Sequence, residues 1–498
     1  MQIIMTKFNK TLLYGSIALF SVSSCTKQLE LKPVSSISTT SFWKTENDAT
    51  GALYGMYARF TNVTATYLFI WGESRSQDMK ASTGVDYTNT RNFDNSLDAT
   101  AAGPDWSTLY TVVNDANGIL KNVPNVKFAN PANQNRILAE AHTMRAYLYF
   151  VLVRTWGAVP IVTDPASGYN PSVIYKERSP VADVFALIKK DIDSAIALFP
   201  DNSFITGRNR WSKPGADALK GDVYLWTGKV LGGGASDFTT ALNALTEIGS
   251  SDVALLSDFT SIFDYSNKGN KEIIMASNFK EYESGSETFM ANMYVYSGLP
   301  ANISPGTRDS LGVLGGDNYW TLTSDTRSRF SDDDLRKRAS YIDVYAADPV
   351  TGLYTNYFAT VQRKFDGMID NGIRHFFDDV VIYRYADVLL LKAEAENALN
   401  QDPSAEMNAV RARAFGSNFA SHTFVNGTQE VNDSLILNER LLELLYEGKR
   451  WWDILRFNKG DELIPYFKTN PGSEYKFIWP LSLNILSLEP KTVQNPGY

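Results

Sequence analysis

The stretch Ile436–Phe457, ILNERLLELLYEGKRWWDILRF, constrains this chain more than any other. Ile436, Leu437, Leu441, Leu444 and Leu445 recur at helical spacing, which predicts a helix with one apolar face. Glu439, Glu443 and Glu447 stand four apart and form a carboxylate stripe beside it. Arg440 is placed to reach Glu443 and Glu447. Gly448 is in position to cap the helix, with Lys449 and Arg450 where cations complement the terminal carbonyls. Trp451, Trp452, Asp453 and Arg456 follow. Tryptophans set among charges predict a buried helix end where guanidinium and carboxylate groups satisfy one another. Carboxylates interleaved with arginines are far more often a structural ion-pair network than a catalyst, and no nucleophile or metal ligand accompanies these.

Helical periodicity recurs along the chain. A helix is expected over Thr45–Phe60, capped by Asn47 or Asp48, with Ala49, Leu53, Met56, Tyr57 and Phe60 inward. Ala81–Pro104 reads as loop and Trp106–Asn122 as helix. Asn133–Trp156 is apolar on two faces, the mark of a helix sandwiched between neighbours, and Gly157 and Pro160 end it. Val181–Phe199 and Lys213–Val230 follow. Ala182 and Ala216 are 34 apart, as are Asp183 and Asp217, which is the tetratricopeptide step. Gly232–Ser236 reads as a linker or turn, because no Gly-Lys-Ser/Thr follows to make a phosphate loop. Lys268–Arg338 has no clear period and is rich in Gly, Ser, Asn and aromatics, as long functional segments are. Asp378–Asn400 and a segment from Asp402-Pro403 to Ala414 return to helix.

The chain has one cysteine, Cys25, which excludes an intrachain disulfide framework. Before it run Lys7 and Lys10, an apolar segment Thr11–Val22, and Ser23-Ser24. This reads as a signal peptide over 1–24 whose small residues resemble a lipobox, with Cys25 as the lipidation site. Multiple acyl chains on that cysteine would anchor an otherwise soluble body. The net charge of −8 argues against nucleic acid as partner.

The order E-R…E-L…E-G…R-W-x-D…R, carried by Glu439, Arg440, Glu443, Leu444, Glu447, Gly448, Arg450, Trp451, Asp453 and Arg456, resembles the C-terminal signature of the SusD/RagB family of nutrient-binding lipoproteins. Leu441 stands where that family usually carries another arginine. Phe42-Trp43, Trp106 to Leu120, Ala139–Pro160, Arg384–Ala395, Asn408–Ala414 and the terminal N-P-G-Y are similar too. The resemblance implies a mainly α fold: a tetratricopeptide-like helical repeat scaffold with an irregular, loop-rich ligand-binding part. It implies one domain over 25–498, with an N-terminal region 25–230 and a C-terminal region 270–498. It further implies an outer-membrane location facing the exterior, an oligosaccharide ligand and a TonB-dependent transporter as partner. The alternatives are a peptide ligand, or a repeat scaffold that binds only protein.

Catalytic and metal chemistry find little support. His142 reads as a core histidine, and His375, which with Asp378 at i, i+3 could co-ligate a metal, reads instead as a surface histidine beside an acidic loop. Asp332-Asp333-Asp334 reads as the cap of a helix starting near Leu335. No cofactor or metal is expected. What remains is binding by aromatics in loops, which stack on sugar faces while Asn, Asp and Arg bond hydroxyls. Aromatics make up 13% of the chain, enough to supply such a face. Loop placement selects Tyr87, Arg91, Asn92 and Phe93, preceded by Trp71 and Arg75, and Tyr296, Tyr319 and Trp320. Trp320, after Gly315-Gly316-Asp317-Asn318, is expected to be an exposed platform.

Overall fold

The protein's structure is a computed structural model that describes residues 42–84, 90–166, 175–283, 287–295 and 298–498. The chain divides into Met1–Lys44 and Thr45–Tyr498, and every element below belongs to the second unit. The signal peptide and Cys25 lie outside the described residues.

Thr45 opens helix α1 (Glu46–Thr64). Its side chain accepts from the Asp48 N–H, and Asp48 accepts from the Thr45 N–H at 2.7 Å. This is a capping box, so Asp48 serves from inside the first turn and Thr45, not Asn47 or Asp48, is the cap. Ala49, Leu53, Met56 and Phe60 form its buried stripe. After α2 (Tyr67–Gly72) come α3 (Ser107–Asn122), α4 (Pro131–Trp156), α5 (Val181–Leu198), α6 (Lys213–Val230) and α7 (Gly234–Ile248). Helix α4 packs against both α3 and α5, as its two apolar faces require. Helix α7 starts inside the glycine run that reads as a linker; Gly232, at φ +76°, and Gly234, at φ +57°, make the turn. Gly221 and Gly228 let α6 and α7 cross closely. A Cβ at either would lie 2.4 Å from Leu245 or 2.3 Å from Phe238.

The C-terminal helices are α8 (Leu335–Ser340), α9 (Tyr385–Ala398), α10 (Ser404–Phe415), α11 (Gln429–Leu444) and α12 (Arg450–Arg456). Asp334 caps α8, as expected. Ala386, Leu390, Met407, Val410, Ile436 and Leu437 form one core beneath α9, α10 and α11. Stacked helix pairs thus give the mainly α, tetratricopeptide-like architecture. The 34-residue step does not carry it in detail: Ala216 is buried at a helix crossing, whereas Ala182 is exposed.

The irregular part holds more strand than its sequence suggests. Among the described residues, four two-stranded antiparallel sheets pair β1 (Met79–Ala81) with β3 (Trp320–Leu322), β2 (Ile273–Ser277) with β8 (Val380–Arg384), β4 (Tyr341–Ala347) with β5 (Tyr354–Gln362), and β6 (Met368–Asp370) with β7 (Ile373–His375).

The 436–457 stretch is two helices, not one capped at Gly448. Helix α11 ends at Leu444, and Tyr446 at φ +69° and Gly448 at φ +70° turn the chain into α12. The turn is imposed by α2: a Cβ on Gly72 would stand 1.9 Å from the Gly448 carbonyl oxygen. The charges on both sides are buried and paired. Fully buried Arg384 binds Glu272 at 2.8 Å, Glu443 at 2.6 Å and Glu447 at 2.8 Å. Arg336 reaches Glu439 at 2.7 Å and Glu443 at 3.2 Å. Lys364 reaches Glu447 at 2.6 Å. Arg440 turns from the stripe to Asp387 at 2.9 Å and Asp453 at 2.8 Å, because the helix break moves Glu447 away. Arg456 binds Glu394 at 2.8 Å. Arg450 pairs with Asp78 at 3.0 Å, so neither Glu447 nor Asp453 is its partner.

Candidate functional site

The segment Gly315–Trp320 is built by close backbone approach. A Cβ on Gly316 would lie 2.6 Å from the Tyr294 carbonyl oxygen and 2.7 Å from that of Ala291. Glycine therefore lets the Asp317 and Asn318 N–H groups donate to Ala291 and Tyr294, at 2.9 and 2.8 Å. Asn318, at φ +52°, then hands the chain to β3, whose Trp320 is registered against Ala81 of β1. The indole consequently points inward. Trp320 is 0% exposed, with its ring parallel to Phe69 at 5.4 Å and tilted against Phe93 at 5.7 Å. The expected exposed platform is a floor instead: the glycines deliver the tryptophan into a strand rather than leaving it in a loop. Tyr319, just before it, is half-buried, and Asp317 is exposed.

Several other selected residues are buried too, and of these Phe93 joins that floor. Trp71 is buried, donates from Nε1 to the Pro104 carbonyl at 3.0 Å, and meets Trp156 edge-on at 5.3 Å. Arg75 is buried, donates from Nε to Asn95 at 2.8 Å, and lies 4.5 Å over the Trp451 ring. Burial lowers its pKa to about 10, against the opposing pull of Tyr498. Asn92 and Phe93 are buried as well. Arg91 is partly exposed and pairs with Asp98 at 2.7 Å. Tyr87 and Tyr296 lie outside the described residues. The structure thus brings Phe93 and Trp320 together with Phe69, and Trp71 and Arg75 into neighbouring packing. Among the described candidates only Tyr319 and Arg91 reach solvent. The apolar run Tyr67–Trp71 was the signal that Trp71 belongs to the core.

The charge network offers no room for a ligand. The cavity among Arg154, Asp222, Tyr383, Lys449 and Arg456 encloses about 20 Å³, enough for about one water. Two carboxylates of the surrounding network, Glu443 and Glu394, are held in their charged forms. Burial alone would raise the Glu443 pKa, yet Arg413, Arg384 and Arg336 hold it well below the usual carboxylate range. The same opposition leaves Glu394 at about 2, through Arg456 and Lys229. Burial pushes the Lys364 ammonium down to about 8, with Glu447 opposing. The histidines are each satisfied by a carboxylate at 2.7 Å: His142 by Asp191, His375 by Glu287 and His422 by Asp333. Among the described residues no three His, Cys, Asp or Glu side chains converge as a metal site would require.

A concave site lies elsewhere, where α1, the segment before α6 and the loop after β2 meet. This cleft encloses about 290 Å³. Tyr54, Ala58 and Asn62 line it from one stripe of α1, and Asn209, Arg210 and Asn278 close it. Tyr54 is 55% exposed, with the Arg210 guanidinium 5.5 Å over its ring. Arg210 is fixed by fully buried Glu140, at 2.9 Å from Nε and 2.5 Å from Nη2. Tyr57 donates its hydroxyl to the same carboxylate at 2.8 Å. Sequence reasoning missed the cleft, although the i, i+4, i+8 recurrence of Tyr54, Ala58 and Asn62 off the apolar stripe was there to be read.

Residues 279–498 match a family model described as the SusD family. Residues 27–225 match one described as "Starch-binding associating with outer membrane". SusD-like protein P38 of Formosa agariphila is 28% identical over 523 residues, covering 97% of both chains. B. fragilis NanU is 32% identical, with 94% of this chain and 100% of that one covered at a TM-score of 0.81. A solved laminarin-binding SusD-like protein shares the fold at TM-score 0.75 and 23% identity, covering 91% of this chain and all of its own.

Proposed function

The chain belongs to the SusD family, and on that premise we propose that it binds oligosaccharides at the cell surface and passes them, chemically unaltered, to a TonB-dependent outer-membrane transporter. The observation that carries this reading is the division of labour in the fold. The signature residues of α11 and α12 are locked into a buried lattice, which leaves ligand contact to surface aromatics and amides. The starch-binding description of the N-terminal match and the laminarin ligand of a neighbour support a glycan over a peptide. We place ligand contact at Tyr319 and Arg91, the described candidates that reach solvent; Tyr87 and Tyr296 stay candidates outside the described residues. Retention on immobilised polysaccharides, compared with peptide pools, separates the glycan reading from peptide uptake and from a protein-only scaffold.

Attachment through acylated Cys25 completes the proposal. Among the described residues no helix is long and apolar enough to cross a membrane. Cys25→Ala is therefore expected to shift the protein from the membrane to the soluble fraction with its melting temperature unchanged. Sedimentation of the variant with salt-washed membranes would refute the anchor.

A further inference from the structure

The geometry points to a carbohydrate subsite in the cleft at Tyr54, separate from the Tyr319 face; this assignment rests on the glycan reading above. The cleft is small, at the lower end of the ~300–1,000 Å³ typical of ligand sites, which suits the end of a sugar chain rather than a folded partner. Its composition is that of a sugar site. One face of Tyr54 lies under Arg210, and the residue is 55% exposed. An exposed aromatic ring beside a hollow is suited to stack on a pyranose face. Ala58, one turn on, has no bulk to fill the hollow that Tyr54 flanks.

The polar groups are arranged to bond hydroxyls. The side-chain amides of Asn62 and Asn209 line the cleft and make no hydrogen bond to another described residue. Each carries donors and an acceptor, as a vicinal diol requires. Asn278 is oriented by donating to Asp379 at 3.0 Å. The charged residues are already paired, Arg210 with Glu140 and Lys280 with Glu283 at 2.6 Å, so the site favours a neutral sugar over an anion. The wall is rigid behind these groups, because Glu140 also holds Tyr57, whose oxygen accepts from the Trp211 N–H at 2.8 Å.

Tyr282, between Lys280 and Glu283, is 90% exposed and has a left-handed φ of +63°. A bulky residue in that conformation is rare, and such strain gathers at ligand sites. Its neighbours Lys280 and Glu283 line the cleft, on a chain segment different from that of Tyr54.

Calorimetric titration of the purified mature protein with maltoheptaose and with laminarihexaose tests the assignment. Tyr54→Ala is expected to weaken binding about tenfold without changing the melting temperature, and Tyr54→Phe to retain it, because the ring is kept. Affinity is expected to be the same at low and high salt, as for a neutral ligand. Wild-type affinity in Tyr54→Ala, with loss in Tyr319→Ala, would overturn the cleft assignment and leave the glycan reading standing. Binding of neither sugar by the wild type would overturn the glycan reading itself for these two classes, and the cleft with it. Strong salt dependence would exclude a neutral ligand here.

Discussion

Replacing Arg384 by alanine is expected to destabilise the protein by about 3–5 kcal/mol, read as a lowered denaturation midpoint, or to prevent its accumulation in soluble form. The side chain is fully buried at the junction of β8 and α9 and touches Glu272, Glu443 and Glu447 together. Removing it leaves three carboxylates out of water sharing Arg336, Arg413 and Lys364, the first of which also serves Asp334 and Glu439. Arg336 and Arg413 still reach Glu443, and Lys364 still reaches Glu447. The remaining pairs therefore soften the loss but cannot replace three charge-assisted bonds. The opposite assignment, with these acids forming a ligand site, predicts a normally stable variant that has lost binding. A denaturation curve that overlays the wild type would contradict the structural role of the lattice.

Trp320→Ala is the second large effect, also expected at about 3–5 kcal/mol. The indole is fully buried and stacks on Phe69, which itself stacks on Phe289 at 4.2 Å. Truncation opens a cavity at the β1–β3 pairing, under the face that carries Tyr319. Thermal melting beside glycan titration distinguishes floor from contact. The floor role predicts a marked drop in melting temperature, with affinity retained in whatever folds. Unchanged melting with lost affinity would restore Trp320 as a contact.

These two residues show where local pattern suffices. The burial of Glu443, Glu447 and their arginines was legible, because charges beside Trp451 and Trp452 at helical spacing have to satisfy one another. Which arginine serves which acid was not. The break at Tyr446 and Gly448 is imposed by α2, a helix nearly the whole chain away, and it redirects Arg440 from Glu447 to Asp387 and Asp453. Trp320 failed for a related reason. Glycines before it read as loop, but its strand partner is Met79–Ala81, and no local period reveals a pairing between distant segments. Strands β4 to β8 escaped notice because each forms a two-stranded ribbon without long alternation. The cleft at Tyr54 arises from three distant segments, so its members carry no shared motif; only the stripe on α1 was visible.

We propose above that this chain holds glycans without processing them. Calorimetry of the wild-type protein against a panel of neutral oligosaccharides including starch and laminarin fragments, followed by chromatography of the same samples, tests it most directly. The account predicts saturable binding to at least one sugar and recovery of that sugar at its original length. Absence of heat with every sugar alongside tight binding of peptides, or shortened sugar chains in the recovered sample, would contradict it.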